Sequence, residues 1–274
     1  MKRILFPTDL SDMTRHALVY AVHIAKSTDA ELILMNAFEI EYLDPRIPNE
    51  SYEMERDESM IKLEELKDQV LQEKGNEELK IQCFPAFGSP VRSIEEAASY
   101  FETDLIVMAT NGASNLKAFF SGSHTQNVVD EVDRPVLVVP EDASFDRLDN
   151  ILFATDLTET PAEHLKVLMD IAMASEAELH IVNVGPEEKK KAMEKAMWHL
   201  EKEHLYDELK HRWDFVQNED VLKGLDSYID AHPEIDMLVM VGHERRDWLE
   251  NFVSPRLTKK VVHHPQLPTL IIKH

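Results

Sequence analysis

Short apolar runs alternate with longer amphipathic stretches along this chain, and the whole alternation occurs twice. Residues Arg3 to Phe6 make a brief apolar run that stops at Pro7-Thr8-Asp9, and a second copy stands at Ile151-Leu152-Phe153-Ala154-Thr155-Asp156. Helical spacing follows each. In the first copy Ala17, Leu18, Ala21, Ile24 and Ala25 recur on one face behind Ser11 as N-cap. In the second, Thr160-Pro161-Ala162-Glu163 joins an N-cap threonine to a proline at the first helical position and a glutamate at the third. Both helices lead to an apolar strand, Ala30 to Ala37 and Ala177 to Val184, and then to charged amphipathic helices. Met60, Leu63, Leu66 and Val70 mark the core face of the first; Met193, Met197, Leu200 and Leu205 mark that of the second.

A third strand, Lys80 to Pro85, runs to Gly88-Ser89-Pro90, where serine is placed to cap and proline to begin the helix Val91 to Phe101. The second copy offers Trp213 to Val216 and a helix from Asn218 to His232. Each half closes with two apolar runs, Leu105 to Met108 with Pro135 to Val139, then Leu238 to Val241 with Pro268 to Ile272. Strands alternating with helices imply parallel pairing through right-handed crossovers, so each half is expected to be a five-stranded α/β sandwich. The two domains are expected at 1–142 and 147–274, divided in the polar stretch Glu141 to Asp149.

The most informative passage is residues 104 to 140. After Leu105 to Met108 the polarity changes at Ala109-Thr110-Asn111-Gly112, and Gly122-Ser123 then opens a segment in which Val128, Val129 and Val132 share a helical face. A glycine loop ending at a helix N-terminus presents unpaired N–H groups and a positive dipole end to an anion, although loop geometry alone also explains such glycines. In an open parallel sheet, ligands collect beyond the carboxyl ends of the strands where the winding reverses. If strands one and four are neighbours, Pro7-Thr8-Asp9 faces Ala109 to Gly112 across that crevice. Asp9 beside phosphates is repulsive, so its two readings are an acceptor for a base or ribose and a turn or helix cap.

Composition narrows the partners. The 274 residues carry a formal charge of −23, which repels nucleic acid and anionic membrane surfaces, and the short basic run Lys189 to Lys191 stands beside Glu187 and Glu188. Cys83 is the sole cysteine, which excludes an intramolecular disulfide and a cysteine-built metal site, and it lies in a strand, where packing is expected. The opening Met1 to Pro7 is too short in its apolar part for a signal peptide, and no stretch approaches membrane-spanning length, so cytoplasmic residence is expected. The histidine pairs His199 with His204 and His263-His264 with His274 lack the four-residue spacing that places two imidazoles on one helical face, and no metal is expected. Neither a serine–histidine–aspartate order nor a glycine-rich loop ending in lysine is present, so neither hydrolase nor phosphoryl-transfer machinery is expected.

These passages resemble the universal stress protein family, taken twice in tandem. The likeness rests on Ile4-Leu5-Phe6-Pro7-Thr8-Asp9, Gly88, the loop from Ala109 to Ser123, and Pro135-Val136-Leu137-Val138-Val139-Pro140. It implies two adenine nucleotide alpha hydrolase-like, Rossmann-like domains. The family's nucleotide-binding branch carries glycine, two residues, glycine, nine residues, glycine, then serine or threonine. Here the frame reads Ala109, Thr110-Asn111, Gly112, nine residues, Gly122, Ser123, with only the first glycine replaced. The resemblance implies an ATP site, possibly with Mg²⁺, in the first half. Gly112, Gly122, Ser123 and the amide of His124 would hold phosphates, and Asp9 with the backbone around Ala37 would hold adenosine; Pro7, Thr8, Met108 and Ala109 complete the set. In the second half the frame is read as Gly242, His243-Glu244, Arg245, nine residues, Pro255, Arg256; Asp156 survives and most of the cradle does not. No ATP is expected there; the arginines Arg245, Arg246 and Arg256 are expected to pair with the chain's excess acid, the alternative being attraction of some other anion. The family also implies pairing of the two halves through their fifth strands, with further dimerisation open. The expected role is a non-enzymatic stress-response sensor with an unnamed protein partner, slow ATP hydrolysis being a third reading. The rival class is an interaction protein with both nucleotide sites vestigial.

Overall fold

The computed structural model describes residues 1–39, 49–110, 128–129, 131–156, 162–191, 194–195, 209–242 and 267–273. Ten strands are arranged in one sheet. The first half supplies β1 (Arg3–Pro7), β2 (Glu31–Phe38), β3 (Ile81–Phe87), β4 (Leu105–Thr110) and β5 (Val136–Pro140). The second supplies β6 (Asn150–Ala154), β7 (Glu178–Gly185), β8 (His211–Gln217), β9 (Met237–Gly242) and β10 (Thr269–Lys273). Across the sheet the order is β3-β2-β1-β4-β5-β10-β9-β6-β7-β8. Within each half all pairing is parallel, and the halves meet where β5 and β10 pair antiparallel, Leu137 opposite Leu270. The expected fifth-strand pairing is therefore present within the chain.

Helices cover both faces. On one side α1 (Arg15–Thr28), α2 (Asn49–Gln72) and α4 (Ala162–Ala174) enclose a core that runs across the seam from Ile4 and Leu34 to Leu179 and Ile272. On the other, α3 (Pro90–Tyr100) and α5 (Val221–Ala231) each cover a separate cluster, around Ile33 and Ile106 in the first half and around Val182 and Leu238 in the second. Burial on both faces explains why Leu105, Ile106 and Val107 form an unbroken apolar run, all three being fully buried. Leu63 and Val70 are buried under α2 with Met60 and Leu66 beside them, as the helical spacing requires.

Two expected caps are not made. Ser11 precedes a 3₁₀ turn, Asp12–Thr14, rather than α1 itself, and its hydroxyl donates to Asp9 instead of capping. Ser89 has the extended backbone of a cap and Pro90 begins α3, yet the serine side chain accepts no helix N–H. Helix α5 instead begins three residues later than its expected start, behind Asp220, whose carboxylate accepts from the Leu222 and Lys223 amides at 3.2 and 3.3 Å. The helix marked by Met193 to Leu205, and the cap at Thr160, lie outside the described residues.

The stretch between the halves is anchored rather than loose. Ala143 and Leu148 are buried, and the Phe145 ring meets Tyr20 of α1 edge-on at 4.8 Å. The Asp236 carboxylate receives the amides of Asp149 and Asn150, both at 2.8 Å, just as Asp104 receives those of Lys2 and Arg3. Cys83 is buried in β3, and burial with the nearby Glu64 carboxylate pushes its thiol up to about 12, which suits packing and not thiolate chemistry.

Gly224 is required for close approach of α5 to β7. A methyl placed on it would lie 2.3 Å from Val184 Cγ1 and 3.2 Å from the Asn218 Cβ. Although alanine favours a helix by about 1 kcal/mol over glycine, overpacking costs about 1–3 kcal/mol. Gly224→Ala is expected to lower stability in urea denaturation, and a more stable variant would contradict this reading of the contact.

Candidate functional site

The first half changes winding direction between β1 and β4, which are parallel neighbours with Leu5 opposite Ile106. The two strands therefore end at the same carboxyl edge of the sheet, β1 running into Thr8-Asp9 and β4 stopping at Thr110. Pro7 closes β1, Met108 is buried on the α3 side, and Ala109 turns its methyl against the α1-side core. Ala37 lies near the end of β2 on the α3 side. Gly112, Gly122, Ser123 and His124, the phosphate side of the expected site, lie outside the described residues.

The Thr8-Asp9 turn is rigidly held. Thr8 N–H donates to the Met35 carbonyl at 2.8 Å, and the Thr8 carbonyl accepts from Asn36 Nδ2 at 2.9 Å. The other end of that amide, Asn36 Oδ1, accepts from the Ser59 hydroxyl of α2 at 2.8 Å. The Thr8 and Thr14 hydroxyls meet at 2.9 Å, and Leu10, at φ 62, directs its amide to Thr8 Oγ1. A leucine in the left-handed region persists only where its surroundings over-determine it, and here three side-chain bonds do so.

Of the two roles open to Asp9, the turn is made: Oδ1 accepts from the Ser11 amide at 2.9 Å and from the Ser11 hydroxyl at 2.6 Å. The carboxylate is exposed, and its second oxygen has no bond among the described residues, so both roles are compatible. Behind the turn a cleft of about 300 Å³ separates the start of α1 from α2, lined by Thr8, Ser11, Thr14, Lys62 and Gln69 among others. Its cations are engaged, Arg15 with Asp12 and Lys62 with Glu58.

The second half repeats the clasp. Thr155 N–H donates to the Val182 carbonyl at 3.0 Å, and Asn183 Nδ2 donates to the Thr155 carbonyl at 2.8 Å. Asn36 and Asn183 were absent from the expected site. The signal for them is one polar residue at the same place in each copy of an otherwise apolar strand, Leu-Met-Asn-Ala and Ile-Val-Asn-Val.

Strand register corrects the first position of the second half's frame. Ile4 pairs with Leu105 where its counterpart Ile151 pairs with Met237, so Ala109 corresponds to Val241 and not to Gly242. Counted back from the fifth strands, where Thr269 pairs with Leu238 as Val136 pairs with Ile106, Gly122 and Ser123 still correspond to Pro255 and Arg256, so the second loop is one residue longer than the first. The first position was misplaced because the residue type outweighed the count from the strand.

Fold and site together define a doubled, doubly wound α/β domain with its working edge at the β1/β4 switch point and an asparagine clasp behind each turn. The chain belongs to the universal stress protein family, whose model matches residues 1–140 and again 147–273. Universal stress protein MJ0531 of Methanocaldococcus jannaschii is 32% identical over 142 residues, which is 50% of this chain and 81% of that protein. MJ0577 of the same organism is 28% identical over 156 residues, 50% of this chain and 94% of that protein. Among solved structures, a universal stress protein of Archaeoglobus fulgidus shares the fold over 99% of this chain and 98% of its own, at a TM-score of 0.70 and 19% identity. No described helix is long and apolar enough to cross a membrane, and no cluster of metal-binding side chains occurs among the described residues.

Proposed function

We propose that the first half binds ATP or a related adenine nucleotide and that the protein acts as a stress-response sensor whose nucleotide occupancy alters its contacts, without catalysing a reaction. The observation that carries this is the pinned Thr8-Asp9 turn at the carboxyl edge, beside the strand that leads into the Gly112 and Gly122 loop. Asp9 Oδ2 remains available to a ribose or base, and backbone amides spaced by the two glycines would receive phosphates. The Ala109 methyl is accommodated by the α1-side core, which leaves the position compatible with the ligand despite the lost glycine. In the second half Pro255, which has no N–H, and Arg256 stand in the frame where Gly122 and Ser123 stand in the first, so that half serves as a structural or partner-binding module.

Isothermal titration of the full chain with ATP and Mg²⁺ tests this. Binding is expected at one site, abolished by Gly112→Arg and unaltered by Glu244→Ala. The absence of heat at millimolar ATP, with Gly112→Arg identical to the parent, would favour the rival, an interaction protein with vestigial sites. ADP release that disappears in Asp9→Ala would instead assign slow hydrolysis.

A further inference from the structure

The second half carries a polar network that the first half lacks. His180 of β7 is only 2% exposed, between Leu152 of β6 and Arg212 of β8 in register. The corresponding residue of the first half, between Leu5 and Gln82, is Ile33. By the same register Asp214 takes the place of Phe84, whose ring packs edge-on against Phe101 at 5.0 Å. An apolar contact between sheet and helix has thus become an ionisable one.

Its hydrogen bonds are oversubscribed. Arg212 Nη2 has two hydrogens, yet three acceptors surround it: Tyr228 Oη at 2.9 Å, His180 Nδ1 at 3.0 Å and His232 Nδ1 at 3.1 Å. Tyr228 in turn donates to Asp214 Oδ2 at 2.5 Å. Because a guanidinium only donates, His180 accepts through Nδ1 and carries its proton on Nε2. His232 Nδ1 also lies 3.0 Å from Glu234 Oε1, and its Nε2 lies 3.4 Å from Arg212 Nη2. A proton gained by the buried His180 exchanges an acceptor for a second cation against Arg212.

We propose that His180, Arg212, Tyr228 and His232 form a proton-sensitive latch that holds the C-terminal end of α5 on β7 and β8, the last of these an edge strand, and releases it on acidification. The groups that face His180 are Glu178 on its own strand, Arg212 and Asp214 on β8, Tyr228 on α5, and His232 and Glu234 in the turn after it; β6 presents Leu152. The nearest charge is the Arg212 guanidinium, which disfavours the imidazolium. Burial, the larger cause, and Arg212 both lower the His180 pKa from its ordinary value. A histidine whose folded pKa lies below its unfolded one contributes stability above about pH 6.5 and loses it as the pH falls from there. The α3 contact of the first half, with Ile33 and Phe84 at these positions, has no counterpart of the network.

Hydrogen exchange of the full chain, corrected for the intrinsic rate, provides the test. Between about pH 7.5 and 5.5, amides of 221–232 are expected to exchange roughly tenfold faster while those of 90–100 do not change. Equal acceleration in both helices, or none in α5, would overturn the latch. His180→Leu is expected to flatten the α5 response; a folded His180→Leu chain that still loses protection in acid would also overturn it. Should that variant fail to fold, ¹⁵N shifts of the His180 ring in the parent chain, assigned through its contact with Tyr228, decide the matter. The Nε2–H tautomer with a titration midpoint below that of an unperturbed histidine supports the latch, and a midpoint at or above that value refutes it.

Discussion

Alanine in place of Leu137 is expected to lower the unfolding free energy by about 2–5 kcal/mol, the range for a buried leucine whose site cannot collapse. Leu137 and its antiparallel partner Leu270 are both fully buried and belong to the one core that spans the two halves. Removing either opens a cavity at the strand pairing that joins the two halves of the sheet among the described residues. Leu270→Ala should cost a similar amount, and the double variant should depart from additivity by about 0.5 kcal/mol or more, because the two side chains share a contact. Calorimetry of the single variants should also resolve two transitions where the parent has one, since the seam couples the halves. A Leu137→Ala chain within about 0.5 kcal/mol of the parent, in the range of ordinary surface substitutions, would mean that the halves do not depend on one another.

Asn36→Ala is expected to act on stability and ligand binding together. It strands the Ser59 hydroxyl, which is buried, and the Thr8 carbonyl; each unsatisfied group costs about 1–3 kcal/mol. Asn183→Ala should cost less, because Asn183 Oδ1 is buried without a partner and only the bond to Thr155 is lost. The larger consequence follows from the proposed nucleotide site. With the turn unclasped, Asp9 must be ordered on binding, and ATP affinity should fall by roughly tenfold while Asn183→Ala leaves it unchanged. Titration calorimetry beside urea denaturation separates the two effects. Equal loss of affinity in both variants would remove Asn36 from any positioning role.

The repeat, the inner strand runs and the parallel architecture were legible in the sequence because strands buried on both faces must be apolar throughout, and this leaves a pattern the edge strands β3 and β8 do not share. The pairing of Val136 to Val139 with Leu270 to Ile272 was implied by the family resemblance. Local polar chemistry was less so. Ser11 and Ser89 have the residue type and spacing of caps, but the type states only what a side chain is able to bond, and Ser11 bonds to Asp9 instead. Asp220, which does cap, stood inside the expected helix.

Three things were decided by tertiary structure alone. The register of β9 against β6 moved the first position of the second frame from Gly242 to Val241. The clasp of Asn36 between Thr8 and Ser59 joins residues 28 and 23 positions apart, and the Arg212 network joins three elements of the second half. The physical reason is the same in each case. Burial is a property of one residue and its spacing, so it is written along the chain. A hydrogen bond is a property of two groups and the distance between them, and that distance exists only once the strands are in register.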